Sequence, residues 1–109
     1  MILEAYLTEA EEDLMFIIWE MDHDPVMNEV YEQMRMYTDK SWQPQTVSTY
    51  LKRLVHKGYL RMNHIGRDYV YAVLISRGTY LEAYLDRFIA RWGEPARMAI
   101  AAAARKEDA

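Results

Sequence analysis

A chain of 109 residues, 51% of them apolar and none of them cysteine, has room for one small core. It has no means of building a disulfide, a thiolate metal site or a cysteine nucleophile. No basic n-region opens the chain and its longest apolar stretch, Leu14 to Trp19, falls far below the ~20 residues of a membrane span, so a soluble, cytoplasmic protein is expected.

The formal net charge of −4 conceals its distribution: residues 1–39 carry −10, residues 68–109 balance to zero, and residues 40–67 carry +6. That basic block holds Lys40, Lys52, Arg53, Lys57, Arg61 and Arg67 and no acid at all. Such a block in an otherwise acidic chain suits a surface that meets a polyanion, although a merely solvated positive face has the same composition.

In chain order, Thr8 followed by Glu11 has the spacing of a capping box and predicts a helix from about Glu9. Acids crowd its first turn, where the helix dipole favours them. Leu14, Ile17, Ile18 and Met21 form its inward stripe, with Trp19 at the edge. The cluster Asp22-His23-Asp24-Pro25 ends it. Asp24 can cap a second helix with Pro25 in first position, or Pro25-Val26 can form a short extended piece; Val30, Tyr31 and Met34 then face the core. Thr38 to Gln43 reads as polar and irregular.

A third helix should start at Pro44 and stop at Gly58. Val47, Tyr50, Leu51, Leu54 and Val55 fall within one arc of its wheel. Gln45, Thr46, Ser48, Thr49, Lys52, Arg53, His56 and Lys57 fill the other. After Gly58 the period drops to two: Leu60, Met62 and His64 alternate with polar residues, Gly66-Arg67 makes a tip, and Tyr69, Tyr71 and Val73 alternate again. Three helices followed by a hairpin make a winged helix-turn-helix, a mainly α fold with one small β-hairpin.

Ser76 can cap a fourth helix through Trp92. Its Tyr80, Leu81, Tyr84, Leu85, Phe88, Ile89 and Trp92 cover about half the circumference, more than one small domain needs. Gly93-Glu94-Pro95 breaks it, and Ala96 to Lys106 adds a short alanine-rich helix before a frayed tail. The expected organisation is a winged-helix domain over residues 1–75 and a helical dimerisation segment over 76–109.

Neutral hydrogen-bonding side chains at the centre of a helix face, with cations beside them, suit a major groove: amides and hydroxyls reach base edges while Lys and Arg hold phosphates. Pro44 leaves the third helix free to point its first amides at a phosphate. Arg61 and Arg67 on the hairpin would lie along the adjacent backbone or minor groove. The reading from another class is a winged-helix interaction module whose basic face binds an acidic protein.

His23, His56 and His64 lack the i, i+4 spacing of a helical metal site, so no metal and no cofactor are expected. Neither a nucleophile on a sharp glycine turn nor a glycine-rich phosphate loop is present, so no enzyme is expected. The wide aromatic stripe of the fourth helix reads first as a dimer interface, with an apolar effector pocket or simple packing against the domain as alternatives.

Several stretches carry a resemblance: Leu7-Thr8-Glu9-Ala10-Glu11, Met15, Ile18-Trp19-Glu20, Trp42-Gln43-Pro44-Gln45-Thr46-Val47, Leu54-Val55-His56-Lys57-Gly58-Tyr59-Leu60 and Gly66-Arg67-Asp68-Tyr69-Val70-Tyr71. Each is weak alone. In this order, from about Leu7 to Trp92, they resemble the BlaI/MecI penicillinase-repressor family of winged-helix transcriptional regulators. The resemblance implies a homodimeric repressor on a double-stranded, inverted-repeat operator, with the helix after the Trp-x-Pro-x-Thr motif in the major groove. By position, Gln45, Thr46, Ser48, Thr49 and Arg53 fall where that family contacts DNA. The family's β-lactam-sensing members are cut by a sensor protease at an Asn-Phe bond after the wing; here the pair is Arg87-Phe88, which speaks against that partner. The lack of cysteine speaks against the thiolate copper sensing of other relatives, and the C-terminus reads as shorter than usual.

Overall fold

The computed structural model describes residues 6–38 and 41–107, so Lys40 of the basic block and the Asp108-Ala109 tail lie outside the described residues. The elements follow in the order α1 (Glu9–Glu20), α2 (Met27–Tyr37), α3 (Pro44–His56), β1 (Leu60–Ile65), β2 (Asp68–Val73), α4 (Arg77–Trp92) and α5 (Glu94–Glu107). They divide into two compact units, one reaching to Arg77 and one running from Gly78.

In the first unit, α1 begins with the expected capping box. The Glu11 amide donates to Thr8 Oγ1 at 3.2 Å and the Thr8 amide donates to Glu11 Oε1 at 2.7 Å, which satisfies two of the helix's orphan donors. Leu14, Met15, Ile17 and Ile18 are buried. Met15 was absent from the expected stripe, and Met21, expected on it, is only half-buried at the C-cap.

The second helix starts later than an Asp24 cap would place it. Val26 is its N-cap, and Pro25-Val26 is extended: Val26 bridges Val70 of β2, and the Tyr71 amide donates to the Pro25 carbonyl at 2.9 Å. Valine has no side-chain acceptor, so only the return half of a capping box forms, the Val26 amide donating to Glu29 Oε1 at 3.0 Å. Val30 and Met34 face the core and Tyr31 is half-buried.

Helix α3 packs Val47, Leu51 and Leu54, all fully buried, against this layer, while Tyr50 and Val55 are half-buried. A fully buried aliphatic side chain contributes about 1.5–3 kcal/mol over an exposed one, so this stripe fixes which side of α3 turns outward. The helix ends in a Schellman motif. The Gly58 amide donates to the Val55 carbonyl at 3.0 Å, the Tyr59 amide reaches Leu54 at 2.9 Å, and Gly58 takes φ +84°.

That turn feeds β1, which pairs antiparallel with β2 in the register Leu60 with Val73 through Ile65 with Asp68. The two-residue loop has Gly66 at φ +63° and no positive φ at Arg67, the requirement of a type II′ turn. Leu60 and Tyr71 are buried at the root of the hairpin. Further out on that face, Met62, His64 and Tyr69 are exposed, so the apolar alternation marks a core residue only near the root. The Leu74 amide donates to the Tyr59 carbonyl at 2.9 Å, and Trp19 Nε1 donates to the Ile75 carbonyl at 2.9 Å, tying the end of the wing to α1.

The second unit holds α4, starting directly after Ser76, and α5. Gly93, at φ +68°, ends α4 by donating to the Ile89 carbonyl at 2.6 Å. Helix α5 starts at Glu94, two residues before the expected Ala96, because Pro95 is tolerated in a first turn where its missing amide would have no partner.

Candidate nucleic-acid interface

The buried stripe of α3 turns the rest of the helix outward. Gln45, Thr46, Thr49, Lys52, Arg53 and His56 are exposed and Ser48 is half-buried, so the polar arc read from the wheel exists as a surface. No acid lies on α3 or β1; Asp68, exposed at the start of β2, is the first acid after the block. Gln43, the N-cap, makes no side-chain cap hydrogen bond, and the first turn carries no acid. The amides at that end are left for water or an anion.

Two side chains on the arc are pre-set by neighbours. Thr49 Oγ1 donates to the Gln45 carbonyl at 3.0 Å, which fixes its rotamer and leaves the oxygen lone pairs outward. Arg53 lies over the Tyr50 ring at 4.7 Å from its centroid, and Trp42 meets the same ring edge-on at 5.2 Å. The Tyr50–Arg53 i, i+3 spacing could have signalled this platform. The burial of Trp42 (7% exposed) could not be read from a segment that looked polar and irregular, and its Nε1 has no hydrogen-bond partner among the described residues.

On the wing, Arg61 and Arg67 are exposed. Arg61 Nε donates to Asn63 Oδ1 at 3.2 Å, which holds its guanidinium along β1.

Lys57 departs from the expectation of a DNA-facing cation. Its Nζ donates to Glu11 Oε1 at 2.6 Å and to the Tyr6 carbonyl at 2.7 Å. Glu11 is buried, 1% exposed. Burial pushes its carboxyl up, but the hydrogen bonds from Lys57 and Thr8 more than offset this and hold it below the ordinary carboxylate value. Nothing in the local pattern pairs residues 46 apart, so this partner was invisible in the sequence.

His23 forms a cluster with Asp22 at 2.9 Å and Glu29 at 2.6 Å, bridging the end of α1 to the start of α2. The hydrogen bond to Asp22, then that to Glu29, raises its value above that of a free imidazole. Among the described residues no group of His, Asp and Glu is arranged to hold a metal ion, and no helix is long and apolar enough to cross a membrane.

The family model described as penicillinase repressor matches residues 7–109, nearly the whole chain. The chain belongs to the penicillinase repressor family. Within that family it is 32% identical over 87 residues to the penicillinase repressor of Bacillus licheniformis, covering 79% of this chain and 65% of that protein. The chain thus spans just under two thirds of its curated relative's length.

Two solution structures have the same fold. One is the Bacillus licheniformis BlaI monomeric form in complex with the blaP half-operator; the other is the DNA-binding domain of the repressor BlaI. Each aligns with a TM-score of 0.61 at 31% identity, over 73% of this chain and 94% of the solved one. The winged helix read from the hydrophobic periods is therefore the fold of a penicillinase-repressor DNA-binding domain.

On α4, Leu81, Tyr84, Leu85, Phe88 and Trp92 are exposed and Ile89 is half-buried. Tyr80, expected on the same surface, is buried at 6% exposure and presents little to a partner.

Proposed function

We propose that this chain is a sequence-specific DNA-binding transcriptional repressor that acts as a homodimer on an inverted-repeat operator. Helix α3 enters the major groove and the wing from β1 to β2 lies along the phosphate backbone. The observation that carries this reading is the exposed arc of α3: Gln45, Thr46, Thr49 and Lys52 outward, Arg53 set on its aromatic platform, and no acid on the helix. Amides and hydroxyls at the centre of such an arc match base edges, and the flanking cations match phosphates. The membership in the penicillinase repressor family and the operator-bound BlaI among its structural neighbours support it.

The test is to incubate the purified chain with fragments of its own genome and sequence what it retains. Fragments sharing one inverted repeat, with an affinity that falls steeply with salt, are expected. Retention of an acidic protein from the same extract, with no DNA enriched, would overturn the proposal in favour of an interaction module.

The same reading holds that an antibiotic-sensing protease does not release this repressor. A pocket shaped for Asn should reject the long cation Arg87 on size and charge. Co-expression with such a protease and the antibiotic, followed by mass spectrometry, should show the chain intact. Cutting between Arg87 and Phe88 would disprove it.

A further inference from the structure

Among the described cations of the basic block, Lys57 is half-buried and held in an ion pair with a carboxylate. It caps the C-terminus of α3. Its ammonium reaches across to the first turn of α1, where Glu11 Oε1 takes both Lys57 Nζ at 2.6 Å and the Thr8 amide at 2.7 Å. A second bond from Nζ to the Tyr6 carbonyl, at 2.7 Å, completes the grip. Moving this ammonium to a phosphate would strand a buried carboxylate without its cation, a far larger loss than one solvent-screened phosphate contact returns. The ion pair also sits where the Schellman turn at Gly58 leads from α3 into β1. One contact therefore ties together the start of α1, the exit of α3 and the root of the wing.

We propose that Lys57 and Glu11 are positioning residues of the DNA interface: their ion pair fixes the tilt of α3 and the root of the wing, and Lys57 makes no phosphate contact. This rests on the function proposed above. A 13-residue helix is about 20 Å long at 1.5 Å per residue, so a tilt of about 5° at one end carries the other by nearly 2 Å. Base-edge hydrogen bonds work over a few tenths of an ångström, whereas flexible Lys and Arg side chains follow a displaced phosphate. Loosening the tie should therefore cost sequence discrimination and leave the electrostatic affinity in place.

The experiment compares two probes, a duplex selected by the wild-type chain from a random pool and a mixed-sequence duplex, each over a range of salt. Lys57→Met should lower the preference for the selected duplex by about tenfold, the scale of one lost base contact, with the salt slope of the wild type. Lys57→Arg, which keeps a cation in reach of Glu11, should restore most of it. Because Lys57→Met leaves a buried charge and can fail to fold, the Glu11→Gln/Lys57→Met double variant removes both charges; it should fold and still discriminate poorly.

A loss shared equally by both duplexes, with a slope shallower by about 0.9, would make Lys57 a phosphate contact and overturn the inference. Wild-type discrimination in the folded double variant would overturn it as well. A wild-type chain with no salt-dependent affinity for either probe would instead sink the proposed function, and the positioning role with it.

Discussion

On the proposed function, neighbouring side chains on α3 and the wing meet different chemistry, and substitution should separate them. Thr49, held by its bond to the Gln45 carbonyl, and Lys52 lie at the centre of the exposed arc. Thr49→Ala or Lys52→Ala should blunt discrimination between sites by about 1–3 kcal/mol in a competition assay. Arg67→Ala at the hairpin tip should weaken all duplexes alike and make the salt slope shallower by about one unit. If neither helix substitution changes binding, α3 is not the reading helix.

Two ion-paired residues should also shape stability against pH, in opposite directions. Glu11 titrates below its ordinary 4.5 in the folded chain, so its contribution is present above 4.5 and is lost as pH falls through the lowered folded value. His23 titrates above its ordinary 6.5, so its contribution is present below 6.5 and is lost as pH rises through the raised value. Thermal melts of Glu11→Gln should show a flatter acid limb, and melts of His23→Gln a flatter neutral-to-alkaline limb. Unchanged limbs in both would mean that neither pair forms in solution.

Among the elements, the join between α3 and β1 is the most sharply specified. Gly58 takes a left-handed φ of +84°, yet nothing lies within 4 Å of where a Cβ would stand. Gly58→Ala should therefore lose only the backbone term, about 1–2 kcal/mol by denaturant titration, with the fold intact. A neutral result would mean that the Schellman turn relaxes at no cost.

This join was legible because its signals are local: a proline at the first position of α3, a glycine after its last turn, and a period that shifts from helical to alternating. The capping box of α1 was legible for the same reason. The start of α2 was less so, since the same residues satisfy a cap or a strand, and only the backbone of β2 decides between them by pairing with Pro25 and Val26. The polar arc of α3 was readable from its wheel. The withdrawal of Lys57 from it was not, because a wheel shows direction and says nothing of a carboxylate 46 residues away.

Across the whole molecule, α4 leaves Leu81, Tyr84, Leu85, Phe88 and Trp92 in water, a set that would gain roughly 25 cal/mol for each Å² of apolar area buried against a second copy. On the homodimer proposed above, Phe88→Asp should give a folded monomer that binds an operator poorly, since one half-site held alone loses the gain of bivalent binding. Sedimentation that shows both the wild type and Phe88→Asp as dimers would move the proposed interface elsewhere. The single bridge from Val26 to β2 has a further consequence, for how the chain opens. Proline at position 25 offers a carbonyl but no amide, so the strand-like piece cannot extend into a third strand and grips β2 only at Val70 and Tyr71. The inner half of the wing then belongs to the cooperative core: the Tyr71 amide should exchange with deuterium only on global unfolding, as slowly as Leu51 and Leu54. The outer pairs, His64 with Tyr69 and Ile65 with Asp68, have no such anchor, and their amides should exchange sooner. On the proposed function, Arg67 would thus ride on a short limb beyond a fixed root and follow a phosphate that shifts while the helix beside it stays still.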